Sequence, residues 1–99
     1  MARSKIIWSH KAKIKHFEIL EFYYRRNQSK SYSQKIYREI KKSIGLLKKQ
    51  PRLGIKTDDA SVRALIVGDF IVFYEYTKTE KIVHTIWDCN QNPNDLKIK

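Results

Sequence analysis

At 99 residues the chain has room for one domain and no second, and a domain of this size buries only about two-thirds of the surface its unfolded chain exposes. A hydrophobic fraction of 41% with 12% aromatic residues suffices for one compact core and argues against disorder over most of the length. Twenty-one Lys and Arg against ten Asp and Glu leave a net charge of +11, an excess that repels itself in a compact fold and so points to an anionic partner, or else serves solubility alone.

Among anionic partners a membrane is the weakest reading, because no apolar run approaches the roughly 18 residues of a span. The opening Met-Ala-Arg-Ser-Lys-Ile-Ile-Trp also lacks the apolar stretch of a signal peptide. The single cysteine, Cys89, excludes an intrachain disulfide and suits a reducing cytoplasm. His84 and Cys89, even with His10 or His16 brought in by folding, match no zinc-ligand spacing. Neither a metal nor a cofactor is expected.

Lys5 to Trp8 is short, apolar and β-branched, which predicts an opening strand. Ser9 follows as a natural N-cap, its hydroxyl able to accept from a free backbone N–H of the next turn. Ile14, Phe17, Leu20 and Tyr24 then recur at helical spacing, predicting a helix to about Arg26 with that stripe against the core. After a polar break at residues 27–30, Ser31 and Gln34 have capping-box spacing for a second helix. Its stripe is Ile36, Ile40, Ile44 and Leu47. Gly45 interrupts it at a cost of about 1 kcal/mol relative to Ala, which suggests close backbone packing, and Pro51 ends it. A short connection between two such helices predicts an antiparallel hairpin.

Residues 52–61 read as a loop. Val62–Val67 and Phe70–Thr77 flank Gly68-Asp69, where glycine in the first turn position fits a two-residue type II′ hairpin. Lys78–Lys81 turns the chain into a third strand, Ile82–Trp87. The middle strand is apolar on both faces and is expected to be central. Beyond Asp88 the tail Asn90-Gln91-Asn92-Pro93-Asn94 is polar, a solvated loop before a possible short C-terminal helix. Helices and strands segregate, so the expected class is α+β: a helical hairpin packed on an antiparallel sheet, in the order βααβββ.

Four segments in that order carry a resemblance. Trp8-Ser9 precedes Ala12 at the first helix start, and Leu47 with Pro51-Arg52-Leu53-Gly54 closes the second helix. Val62-Arg63-Ala64-Leu65-Ile66-Val67-Gly68-Asp69-Phe70 leads into Val72-Phe73-Tyr74-Glu75-Tyr76, and a closing strand precedes Asp88. Over nearly its whole length the chain resembles the RelE/ParE superfamily, toxins of type II toxin–antitoxin modules of the plasmid-stabilisation kind. The resemblance implies the fold just read, growth inhibition by the free protein, and neutralisation by a cognate antitoxin that wraps the toxin with a helix and an extended segment. RelE-like members cut messenger RNA on the ribosome with basic residues and a terminal Tyr or His, whereas ParE-like members inhibit DNA gyrase and lack that set. Here Ile71 stands where the superfamily commonly has an Arg, and Asp88-Cys89-Asn90-Gln91-Asn92 where ribonuclease members carry a basic residue. These departures point to a ParE-like or atypical RelE-like toxin. A ribosome-dependent endoribonuclease and a non-toxic basic adaptor are the alternatives.

RNA cleavage through the 2′-hydroxyl needs a base, an acid and cationic stabilisation of the transition state. The candidates are Arg63, which stands on a strand where family members often carry Arg or Lys, with His84 and Asp88. The ordinary readings are a packed His84, sharing a face with Ile82 and Ile86, and a surface Asp88. For binding a nucleic acid or other target, Lys35, Arg38, Lys41, Lys42, Lys48 and Lys49, with Arg52 beyond, concentrate positive charge on and after the second helix. A solvated helical face is the competing reading. Phe17, Phe22, Tyr23, Tyr24, Tyr37, Tyr74 and Tyr76 belong to the core by position, and their spacing suggests no base-stacking platform.

Overall fold

The computed structural model describes residues 5–27 and 30–89. Strand β1 (Lys5–Trp8) leads into helices α1 (His10–Asn27) and α2 (Lys30–Leu46). Four strands follow: β2 (Ile55–Lys56), β3 (Arg63–Val67), β4 (Phe70–Tyr76) and β5 (Glu80–Asp88). They form one sheet in the order β1-β5-β4-β3-β2. The helical hairpin and the antiparallel β3-β4-β5 meander are those expected. The sheet is mixed, however, because β1 runs parallel to β5 beyond the meander. A strand's alternation is the same in either direction, so sequence pattern alone does not carry that orientation. The expected loop contains the two-residue edge strand β2, which pairs with Ala64 and Arg63 and is too short to show a period. The polar tail and the possible C-terminal helix lie outside the described residues.

Ser9 joins the two layers. Its hydroxyl accepts from Ala12 N–H at 3.0 Å and donates to the His84 carbonyl at 2.8 Å, while its own N–H donates to the Val83 carbonyl at 3.0 Å. The cap therefore fixes how α1 leaves the sheet, and it selects which helix face turns inward. Ala12, His16, Ile19 and Tyr23 are buried. The expected stripe is turned out: Ile14 is 44% exposed, Phe17 65% and Tyr24 44%, with only Leu20 partly covered. Apolar residues occupy more than one side of α1, and the anchored first turn decides between them.

On α2 and the turn after it the expected stripe holds, with Ile36, Ile40, Ile44 and Leu47 buried, each worth about 1.5–3 kcal/mol of apolar transfer. Ser31 falls inside the first helical turn, since α2 already begins at Lys30. Gly45 does not mark close packing: a Cβ there would meet nothing within 4 Å. Ser33 Oγ donates to the Leu20 carbonyl at 2.9 Å and ties the two helices together. Between helices and sheet lie Leu65, Val67, Phe70, Val72, Tyr74, Val83 and Ile86. The other sheet face carries a smaller cluster of Val62, Ala64, Phe73 and Trp87 with Ile71 beside it.

Val67 pairs with Phe70 across the two-residue turn, where Gly68 takes a φ of 58°, a conformation open to glycine without steric cost. Between β4 and β5 the register slips: Phe73 faces Thr85 and Tyr74 faces Val83, leaving His84 as the extra residue of a β-bulge. His84 and Ile86, which simple alternation would place together, end on opposite faces.

Candidate target-binding site

The loop after α2 folds onto the end of the sheet around Tyr74. This phenol is fully buried; its Oη donates to the Pro51 carbonyl at 2.8 Å and accepts from Gly54 N–H at 2.9 Å. Gly54 must be glycine, because a Cβ would lie 2.7 Å from Tyr74 Cε1 and 2.9 Å from the Ala64 carbonyl oxygen. Arg63 Nη1 donates to the Gly54 carbonyl at 2.7 Å and, more weakly, to the Arg52 carbonyl at 3.4 Å. Two residues along the same face of β4 the second phenol, Tyr76, is reachable from solvent. Arg52 Nε donates to its oxygen at 3.3 Å and the Arg63 guanidinium lies 5.9 Å from its ring centre. The hydrogen bond from Arg52, with the charges of Arg52 and Arg63, holds the Tyr76 phenol below its usual 10.0, whereas burial raises Tyr74 against the pull of Gly54 N–H. Two guanidiniums beside a half-buried phenol can bind a phosphate or carboxylate.

A second feature lies between the helices and β1. A groove of about 370 Å³ is lined by Trp8, Lys13, His16, Phe17, Leu20, Tyr37 and Lys41. His16 stacks with Trp8, at 4.9 Å between ring centres, and with Tyr37, at 5.4 Å. Lys41 Nζ lies 5.9 Å from the Trp8 ring centre and 5.7 Å from that of Tyr37, within cation–π range. Burial, and then the charge of Lys41, hold His16 below the ordinary histidine value of 6.5. Its Nε2 is buried with no hydrogen-bond partner among the described residues.

Comparison with known proteins places this architecture. A model of the ParE toxin of the type II toxin–antitoxin system parDE matches residues 6–93. The chain belongs to the ParE toxin family. A chain of a chromosomal ParDE toxin–antitoxin system from P. aeruginosa shares the fold, with a TM-score of 0.74 over 87% of this chain and 96% of that one at 17% identity. No curated protein matches. The superfamily resemblance is thereby narrowed to ParE, and the chain is a toxin of the type II class.

In this ParE-family chain the three catalytic candidates are not brought together. Arg63 pairs with Tyr74 and shares its helix-side face. His84 lies across the sheet from it, with Nε2 3.0 Å from Glu75 Oε1. That Nε2 is buried and the approach is not in hydrogen-bond geometry, so the contact is an ion pair only when His84 is protonated. Asp88 is neither on the surface nor near Arg63. It is 2% exposed and accepts from Tyr23 Oη at 2.8 Å. Asp88 pairs with Phe70, four residues along β4 from Tyr74, about 13 Å at the strand rise.

The cationic candidates separate as well. Lys35, Arg38, Lys42 and Lys49 are exposed, while Lys41 and Lys48, also exposed, line grooves beside β1. Arg52, counted with the helix, instead meets Arg63 at Tyr76. Sequence reasoning assigned Phe22 and Tyr37 to the core, where they are instead 48% and 44% exposed, and passed over the Trp8–His16–Tyr37 stack. The Ser9 cap was the available signal for the stack, since helical spacing from Ala12 leads directly to His16.

Proposed function

We propose that this ParE-family toxin arrests growth by binding DNA gyrase without performing chemistry of its own, and that a cognate antitoxin encoded beside it neutralises it. The observation that carries this reading is the dispersal of Arg63, His84 and Asp88. A nuclease needs its acid, base and cation around one phosphate, and these three sit on two faces and at two ends of one sheet. The exposed Lys35, Arg38, Lys42 and Lys49 of the α2 region, with Arg52, supply the docking charge. Lys41 and Lys48 extend it toward β1. Induced expression followed by a gyrase supercoiling assay and primer extension on cellular messenger RNA tests this. Blocked supercoiling without new RNA ends is the expected result; new ends with supercoiling intact overturn it.

One observation favours a second reading. The Arg52–Arg63–Tyr76 corner combines two phosphate-binding groups with a phenol that they hydrogen-bond and whose pKa they lower, a set that ribosome-dependent RNA cleavage could use. Under that reading Tyr76→Phe abolishes RNA cleavage. Under the gyrase reading the same variant generates no difference in RNA ends.

A further inference from the structure

Lys81 on β5 is the only buried lysine or arginine among the described residues, 4% exposed. A lysine is seldom enclosed without a carboxylate to pair with. The Lys81 ammonium has no hydrogen-bond or ion-pair partner among the described residues. Its stem lies between Ile6, its partner on β1, and Tyr76, its partner on β4, and both of these pack against the helix-side core. Its Nζ is nonetheless not sealed off, because the enclosed side-chain nitrogens without a partner among the described residues are those of His16 and His84. The stem is covered and the charge reaches an edge.

That edge is the Tyr76 corner. Residues directly opposite across two strands stand about 5 Å apart at Cβ, so Lys81 flanks Tyr76 on the side away from Arg63. Lys56 pairs with Arg63 and extends the same face by one strand. Arg52, Lys56, Arg63 and Lys81 thus bring four cations from four segments to one end of one sheet face. Glu75 and Glu80, next to Tyr76 and Lys81 in sequence, alternate to the opposite face, where Glu75 meets His84. Donors exceed acceptors at this end. Arg52 uses Nε on the Tyr76 oxygen, and Arg63 uses Nη1 on two carbonyls. The two Nη groups of Arg52, the Tyr76 proton and the Lys81 ammonium have no acceptor among the described residues.

We propose that this corner is a binding site for a phosphate monoester, its dianionic end held by Arg52, Arg63, Tyr76 and Lys81 and its organic part resting on Pro51 and Leu53. A carboxylate or a backbone phosphodiester brings one negative charge and leaves most of these cations uncompensated. A monoester brings nearly two near neutral pH, with three acceptor oxygens, and guanidinium forks match those oxygens in pairs. Beside Arg52 lies an open hollow of about 480 Å³, lined also by Gln50, Pro51 and Leu53, and Leu53 is 41% exposed in it. That hollow takes the group to which the phosphate is attached. The inference is independent of the gyrase reading. Unlike RNA cleavage it breaks no bond, because the site holds the phosphate and does not transfer it.

The test uses the full chain at about pH 7.5, where phenyl phosphate, the probe, is dianionic. Inorganic phosphate, dimethyl phosphate and benzoate are the controls, and calorimetry and NMR of the Tyr76 ring are the readouts. Phenyl phosphate shifts that ring saturably and binds about tenfold more tightly than the singly charged diester or benzoate. It binds about threefold more tightly than inorganic phosphate, through its contact with Pro51 and Leu53. Lys81→Met keeps the stem and loses the charge, and weakens the probe about tenfold. Arg52→Gln weakens it about fivefold, whereas Lys35→Gln, an exposed cation near the start of α2, leaves it unchanged. An unmoved Tyr76 ring, equal binding of the diester or benzoate, or the same loss in Lys35→Gln as in Arg52→Gln each overturn the site. Equal binding of inorganic phosphate overturns the ester. Should Lys81→Met fail to fold, Arg52→Gln, at an exposed side chain, decides alone.

Discussion

The Tyr74 corner, beneath the loop after α2, and the His16 groove, beside α2, each hold a polar aromatic side chain, and they treat it in opposite ways. Tyr74 Oη both donates and accepts, and Gly54 is pressed against the ring so tightly that no Cβ fits. His16 Nε2 has no partner among the described residues, and neighbouring apolar groups such as Phe17 remain in water. A closed hydrogen-bond set holds architecture in place. An open one leaves a buried polar atom whose desolvation nothing offsets.

That contrast breaks first at the corner. Gly54→Ala forces a Cβ against Tyr74 and the Ala64 carbonyl, and should cost about 3 kcal/mol, at the upper end of overpacking penalties. Thermal unfolding reads this as a fall in Tm of more than about 10 °C; an unchanged Tm means the corner has slack. Tyr74→Phe keeps the ring and strands Gly54 N–H and the Pro51 carbonyl, for a loss of about 2 kcal/mol.

The groove contributes smaller effects on stability. Because His16 in the folded chain lies below the ordinary 6.5, the unfolded chain takes up its proton first as pH falls. Stability attributable to this residue is therefore complete above that value, declines below it, and levels off once folded His16 is protonated too. Denaturant titrations of wild type and His16→Phe across that window should diverge only on the acid side. Parallel curves would show that His16 is not the group responsible. Smallest of all, Phe17→Ser should change stability by less than about 0.5 kcal/mol, as surface substitutions do. A large loss of stability would instead make Phe17 part of the core.

Much of the molecule was legible before any coordinates, and the reasons are local. The Ser9 cap, the Ile36–Ile40–Ile44–Leu47 stripe and the Gly68-Asp69 turn depend on neighbours a few residues away, and each formed as read. The candidate site was less legible because its members meet through the sheet. Arg63 and Arg52 converge only when β2 and the loop before it fold over Tyr74. His84 changes company through a one-residue bulge that no spacing announces.

The order of elements, the α2 core face, the surplus of positive charge and the toxin resemblance were thus written in the chain itself, because propensity, capping and periodicity act over one or two turns. Tertiary structure decided the parallel seat of β1, the buried face of α1, the separation of Arg63, His84 and Asp88, and the ring stack around His16. Each of those depends on which surface covers which, and a count of apolar residues along a helix or strand holds no information about its cover.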